Sequence, residues 1–147
     1  MIDRAHIGRE LPSHTAVVEA GRLRFFAKAT GEDRPEYLDE AAALAAGHRG
    51  LPAPPSFLFT LANEAADATA WIGLLGMDLA RILHGEQSFT YRRDVCAGDV
   101  LTFHPRITDI YDKKGGALEF VVRATRVTDQ AGAVVAELQS VLVQRNV

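Results

Sequence analysis

The chain has 147 residues, 48% of them hydrophobic and 24% charged, which are ordinary values for a soluble globular protein and exclude a disordered, collagen-like or fibrous chain. At roughly 100–200 residues per domain, this length predicts one domain covering 1–147. A net charge of −3 with scattered basic residues excludes the electrostatic footprint of a nucleic-acid binder, and a single cysteine, Cys96, excludes an internal disulfide or cysteine-based metal cluster and fits a reducing cytoplasmic compartment.

The start, Met1-Ile2-Asp3-Arg4-Ala5-His6, has no apolar run behind a basic segment, so no secretory leader is expected. A strand candidate at His14–Glu19 is followed by an amphipathic helix over Arg22–Thr30, with Leu23, Phe26, Ala27 and Thr30 on one side and Gly31 as its terminator. Asp39 is placed to cap a helix over Glu40–Ala46, closed by Gly47. Prolines in Leu51-Pro52-Ala53-Pro54-Pro55-Ser56 hold the backbone extended. From Ser56, the apolar residues Phe57, Leu58, Leu61, Ala62 and Ala65 recur at helical spacing over most of the circumference, which predicts an enclosed core helix over Ser56–Ala66. Gly73 and Gly76 break the next stretch, so a loop and a short helix at Met77–Leu83 are expected. The nearly uncharged run from Ala68 to Met77 is about ten residues against the ~20 of a membrane-spanning helix, so no membrane anchor is expected.

After Gln87 the apolar residues alternate. The alternation predicts strands over Gln87–Arg92, Asp99–Ile110, Ala117–Thr128 and Ala133–Val143, with glycine-bearing turns at 112–116 and 129–132. The fold class is therefore α+β: a four-stranded antiparallel meander, extended by the early strand candidate, wrapped around one long central helix.

Six stretches carry a family resemblance: Ile7-Gly8-Arg9, Ala29 through Tyr37, Ala53 through Phe57, Leu83 through Gln87, Ala97-Gly98-Asp99, and Asp109 through Gly116. In their order and spacing they resemble the MaoC-like, FAS1-like dehydratase N-terminal type of hot-dog domain, to which non-catalytic subunits of (3R)-hydroxyacyl-ACP dehydratases belong. The resemblance implies a hot-dog fold and a family that adds water to, or removes it from, acyl thioesters of CoA or acyl carrier protein. It implies no metal and no organic cofactor, since the substrate itself carries CoA or phosphopantetheine.

Active relatives carry the pattern Gly-Asp-x-Asn-Pro-hydrophobic-His. Laid on Pro35, it puts Glu32 at the Asp, Arg34 at the Asn and Tyr37 at the His. A phenol with an ordinary pKa of about 10 is a poor proton acceptor at neutral pH, whereas an imidazole at about 6.5 is well placed. Where active enzymes open an oxyanion site at the helix start, this chain reads Pro54-Pro55-Ser56, and proline offers no amide donor. The resemblance thus implies no intact catalytic pair, with Glu32 and Tyr37 as degenerate positions, and a catalytic hot-dog subunit as partner, a homodimer being the form open to the chain alone. The expected substrate-facing residues are Ser56, Phe57, Phe59, Trp71, His84, Gly85 and Glu86.

Plainer readings stand beside these. His84-Gly85-Glu86 is also an ordinary polar turn, Phe57, Phe59 and Trp71 are also core aromatics, and Cys96 reads as a small buried hydrophobe. His6 and His14 are expected to be solvated, and no histidine pair has the spacing of a metal site. Two other functions remain open to the sequence. One is a self-sufficient homodimer, acting as a hydratase through Glu32 and Tyr37 or as an acyl-CoA thioesterase through Glu32 or Glu64. The other is a hot-dog that binds an acyl thioester without chemistry.

Overall fold

A computed structural model describes residues 1–146. Five strands form one antiparallel sheet: β1 (His14–Val17), β2 (Ile82–Tyr91), β3 (Val100–Lys113), β4 (Leu118–Thr128) and β5 (Val134–Arg145), in the order β1-β3-β4-β5-β2. Among the described residues, four α-helices accompany it: α1 (Ala20–Thr30), α2 (Glu40–Ala45), α3 (Phe57–Ala62) and α4 (Ala70–Leu74). The expected α+β hot-dog architecture is present, with α3 and α4 lying on the inner face of the sheet.

Several features differ from the sequence reading, among them the buried face of β4, where Val121 and Val127 enter the core and not the expected Leu118, Phe120, Val122 and Ala124. The strands β3, β4 and β5 do form a meander, but β2 joins it beyond β5 instead of beside β3, pairing Gln87 with Ser140 and Phe89 with Leu138. Alternation fixes which face a strand buries and leaves its neighbour open. The central helix is also interrupted: α3 ends at Ala62, the chain runs without helix through 63–69, and α4 carries Trp71 and Ile72 into the core despite Gly73. Finally, β2 begins at Ile82, with a single turn of 3-10 helix at Leu79–Arg81 before it, so His84, Gly85 and Glu86 belong to a strand and not to a turn.

The caps follow the sequence. Gly31 ends α1 with φ +74°, a left-handed conformation in which a side chain is strained, and the Asp39 carboxylate accepts from the Ala42 amide at 2.8 Å. The extended proline segment is held by antiparallel pairing, the Ala53 amide donating to the Val95 carbonyl at 2.8 Å and the Ala97 amide to the Leu51 carbonyl at 2.8 Å. Cys96 is fully buried beside it, and burial pushes its thiol pKa up, as befits a packed hydrophobe. His14 departs from expectation: it stacks on Phe103 at 5.0 Å and its Nε2 lies 2.8 Å from the Leu61 carbonyl oxygen.

The break in the helix divides the core. One apolar cluster gathers Phe57, Leu58 and Leu61 of α3 against Leu101, Phe103, Val127 and Leu138. A second gathers Trp71, Ile72 and Leu75 around α4 against Ile107, Ile110 and Val121. Along β4, the inward residues pass from Val121 in one cluster to Val127 in the other by way of Arg123 and Thr125. In β5 they pass from Leu142 to Leu138 by way of Ser140. A polar belt therefore crosses the inner face where the two clusters meet. Among the described residues, no helix is long and apolar enough to cross a membrane.

Candidate active site

The loop after α1 carries the two positions where the sequence places a degenerate catalytic pair. Positive φ at Gly31 turns the chain sharply, and the Glu32 amide donates to the Ala27 carbonyl at 2.8 Å. The Glu32 carboxylate is then gripped by Arg34. The Arg34 Nε donates to Oε1 at 2.9 Å, its Nη2 to Oε2 at 2.7 Å, and its backbone amide to Oε1 at 3.2 Å. This two-pronged, charge-assisted grip holds the Glu32 pKa down to about 2, chiefly through the Arg34 side chain. Such a carboxylate is a very weak base near neutral pH.

Tyr37 is drawn into the same arrangement. The Arg34 guanidinium carbon lies 4.8 Å from the centre of its ring, and Arg34 Nη1 is 3.8 Å from Glu36 Oε1. Tyr37 also neighbours Tyr91 of β2, whose hydroxyl donates to the Pro55 carbonyl at 2.6 Å. Burial, with a smaller push from Tyr37, drives the Tyr91 pKa far up, so Tyr91 acts as a fixed donor and not as a proton acceptor. Tyr91 thus ties β2 to the start of α3. At that start, the Phe57 amide donates to the Pro54 carbonyl at 2.9 Å and the Phe59 amide to the Ser56 carbonyl at 3.1 Å. These two amides are spent within the chain and are not aimed at a ligand oxygen.

The other expected site residues separate into two groups. Phe59 and His84 come together as a parallel stack, 5.1 Å between centres, with Phe59 37% exposed. Gly85 sits at a β-bulge where a Cβ would meet Val143 Cγ2 at 2.8 Å, and the bulge lets both His84 and Gln87 face inward. Trp71 lies over Arg123, its ring centre 4.8 Å from the guanidinium carbon. Ser56 is exposed at the start of α3. Phe57, by contrast, is 1% exposed and packs edge-on against Phe26 at 5.3 Å, on the side of α3 that meets α1. Glu86 is exposed on the opposite face of the sheet from His84 and Gln87, because successive inward positions skip it at the bulge.

Sequence reading missed Tyr91, Gln87, Ser140 and Arg123. No sequence signal marks Arg123: the alternation of Leu118, Phe120, Val122 and Ala124 reads as the buried face and leaves Arg123 outward, whereas the structure buries Val121 and Val127 and turns Arg123 inward with them. Burial pulls the pKa of its guanidinium down.

Residues 5–138 match the family described as FAS1-like, dehydratase domain region. The chain belongs to this family of FAS1-like dehydratases. A UPF0336 protein of Streptomyces griseus is a relative of this FAS1-like dehydratase chain, 37% identical over 146 residues, covering 98% of this chain and 95% of its own length. Among solved structures, the C-terminally truncated HadBC (3R-hydroxyacyl-ACP dehydratase) complex of Mycobacterium tuberculosis superposes with a TM-score of 0.79 at 26% identity, covering 93% of this chain and 96% of that one. A MaoC-like dehydratase superposes with a TM-score of 0.85 at 26% identity, and there the 96% of this chain that aligns spans 42% of the other. The architecture of this FAS1-like dehydratase chain is that of the hot-dog dehydratases.

Proposed function

We propose that the chain, a single hot-dog domain over 1–147, is the non-catalytic, substrate-shaping subunit of an (R)-specific enoyl-thioester hydratase or 3-hydroxyacyl-thioester dehydratase. One observation carries this reading: the Glu32 carboxylate, at the position where active relatives hold a catalytic acid, is chelated by Arg34 and kept at a pKa of about 2. Its companion position holds the phenol of Tyr37 in place of an imidazole. The reaction needs a group to move a proton at Cα, a group for the hydroxyl at Cβ, and donors for the enolate-like thioester oxygen. On this reading a second hot-dog polypeptide supplies the first two, while Ser56, Phe59, Trp71 and His84 of this chain bound the acyl thioester of CoA or carrier protein.

The long edge strand β2, bonded along β5 on one side, supports pairing with that polypeptide, as does the likeness to a subunit of the HadBC complex. The thioesterase alternative gains nothing from the geometry, since Glu64 is ion-paired to Arg22 as Glu32 is to Arg34. Co-expression with a hot-dog subunit that keeps the Asp-x-Asn-Pro-x-His pattern tests the proposal. A co-purifying complex that hydrates crotonyl-CoA without releasing free thiol is the expected result, and failure of every such subunit to associate would contradict it.

A further inference from the structure

We propose that the outer face of the sheet, at the end where β3 turns into β4, docks a second copy of this chain, face to face about a two-fold axis that crosses the strands. Strand register sets this surface out in three rows. Tyr111, Phe120, Val143 and Leu83 stand side by side on β3, β4, β5 and β2. The next row toward the turn is Lys113, Leu118 and Arg145, and the row on the other side is Asp109, Val122, Val141 and Glu86. These side chains point outward, because their neighbours along the strands, Ile110, Val121 and Leu142, point into the second core cluster.

The single chain leaves the apolar part of this face unused. An antiparallel sheet with one solvated side ordinarily turns polar residues outward, yet three successive outward residues of β4 are Leu118, Phe120 and Val122. None of these three, nor Tyr111 or Val143, belongs to either core cluster, and Leu83 beside them is 55% exposed. The rings of Tyr111 and Phe120 stack in parallel, 4.7 Å between centres, and form a flat aromatic platform. Lys113 leans over it, its Nζ 5.0 Å from the centre of the Phe120 ring, so the basic rim is held against the apolar row.

The charges name the occupant. The apolar row lies between a basic row and an acidic one, and among the described residues none of Lys113, Arg145, Asp109 and Glu86 forms an ion pair. A two-fold axis along the apolar row sets Phe120 on Phe120, Lys113 over Asp109 of the second copy, and Arg145 within reach of Glu86 of the second copy. An axis along the strands would set Asp109 against Glu86 or Lys113 against Arg145, like on like, so the same charges select the register. Rows two residues apart are about 7 Å from each other and strands about 4.8 Å, so the complementary patch is roughly 14 Å on a side. That is well short of the ~800 Å2 that each partner buries in a stable dimer, so the association is weak. The surface lies across the sheet from Ser56, Phe59, Trp71 and His84 and leaves the outer edge of β2 free, so it does not rest on the subunit assignment.

Analytical ultracentrifugation of the purified chain over roughly 10–500 µM, the range of weak contacts, measures the association. The mass should rise with concentration to twice its dilute value, whether the dilute unit is one chain or a pair joined along β2. Lys113→Asp and Asp109→Lys should each weaken this step at least several-fold, because each change sets like charges against one another at both symmetric contacts. An equimolar mixture of the two variants should restore it, since the altered residues then meet as opposite charges. Both positions are exposed, and circular dichroism checks that both variants fold. If either does not, Arg145→Glu and Glu86→Lys make a second complementary pair with the same expected pattern. A mass that stays constant across the range, single variants that associate as the wild type does, or a mixture that associates no better than its components would overturn the proposal.

Discussion

Two guanidinium groups in this molecule lie at the same distance, 4.8 Å, from the centre of an aromatic ring: Arg34 over Tyr37 and Arg123 beside Trp71. Their surroundings differ in every other respect. Arg34 is on an exposed loop, has the Glu32 carboxylate in a two-pronged grip, and spends its charge holding that carboxylate ionised. Arg123 stands between two apolar clusters with its Nε unanswered. The contrast teaches that the ring contact by itself decides little. Burial and the presence of a counter-ion decide whether a cation is used up by the fold or left without a partner in it.

The largest expected difference between the two regions is in stability. Trp71→Ala removes an 8% exposed side chain from the second cluster and should cost about 3–5 kcal/mol, read as a lowered urea midpoint. The matching Tyr37→Ala change, on a half-buried loop residue, should cost no more than about 1 kcal/mol. Equal losses would erase the distinction.

Next in size is Gly85→Ala. Its new Cβ would sit 2.8 Å from Val143 Cγ2 and 3.3 Å from the Val141 carbonyl, so the bulge that turns both His84 and Gln87 inward must shift, at about 1–3 kcal/mol. Arg123→Met should leave the urea midpoint unchanged or raise it, because a half-buried cation with no carboxylate partner and an unbonded Nε gives way to an apolar chain. A clear fall would show that the fold already uses the charge.

The smallest effect is local and electrostatic. In Arg34→Ala, the Glu32 pKa should climb from about 2 toward its ordinary 4.5, measured by NMR titration of the side chain. Because the folded pKa lies below the unfolded one, the Arg34–Glu32 contribution is complete above about pH 4.5 and is lost as the pH falls through about 2. Acid titration of stability should therefore lose that component in Arg34→Ala and keep it in Tyr37→Phe.

Much of this was legible in the residues. Local signals were sufficient wherever the cause is local. Asp39 and Gly31 mark helix ends, glycine at 115, 116 and 132 marks turns, and alternation in β3 and β5 marks buried faces, while in β4 it points to Leu118, Phe120, Val122 and Ala124 although Val121 and Val127 are the buried ones. The proline start of α3 and the departures at Glu32 and Tyr37 were likewise readable in order along the chain. What was not legible depends on distant pairing. The placement of β2 beside β5 follows from how the sheet curls, and no short pattern encodes it. The grip of Arg34 on Glu32 spans only two residues in sequence yet is not written in their order, because a charge pair of that spacing on a loop meets only when the loop folds back. The polar belt escaped for a related reason. Gln87, Arg123 and Ser140 each look like an ordinary polar residue in its own strand, and they become a row only through the register of three strands.

The central claim is that this chain does not itself carry out the proton transfers of its family. The purified chain is incubated with crotonyl-CoA at neutral pH, and the enoyl absorbance and free thiol are followed together. The account predicts that both stay at the uncatalysed rate. Robust hydration by the chain alone, abolished by Glu32→Ala in a protein that remains folded, would contradict it.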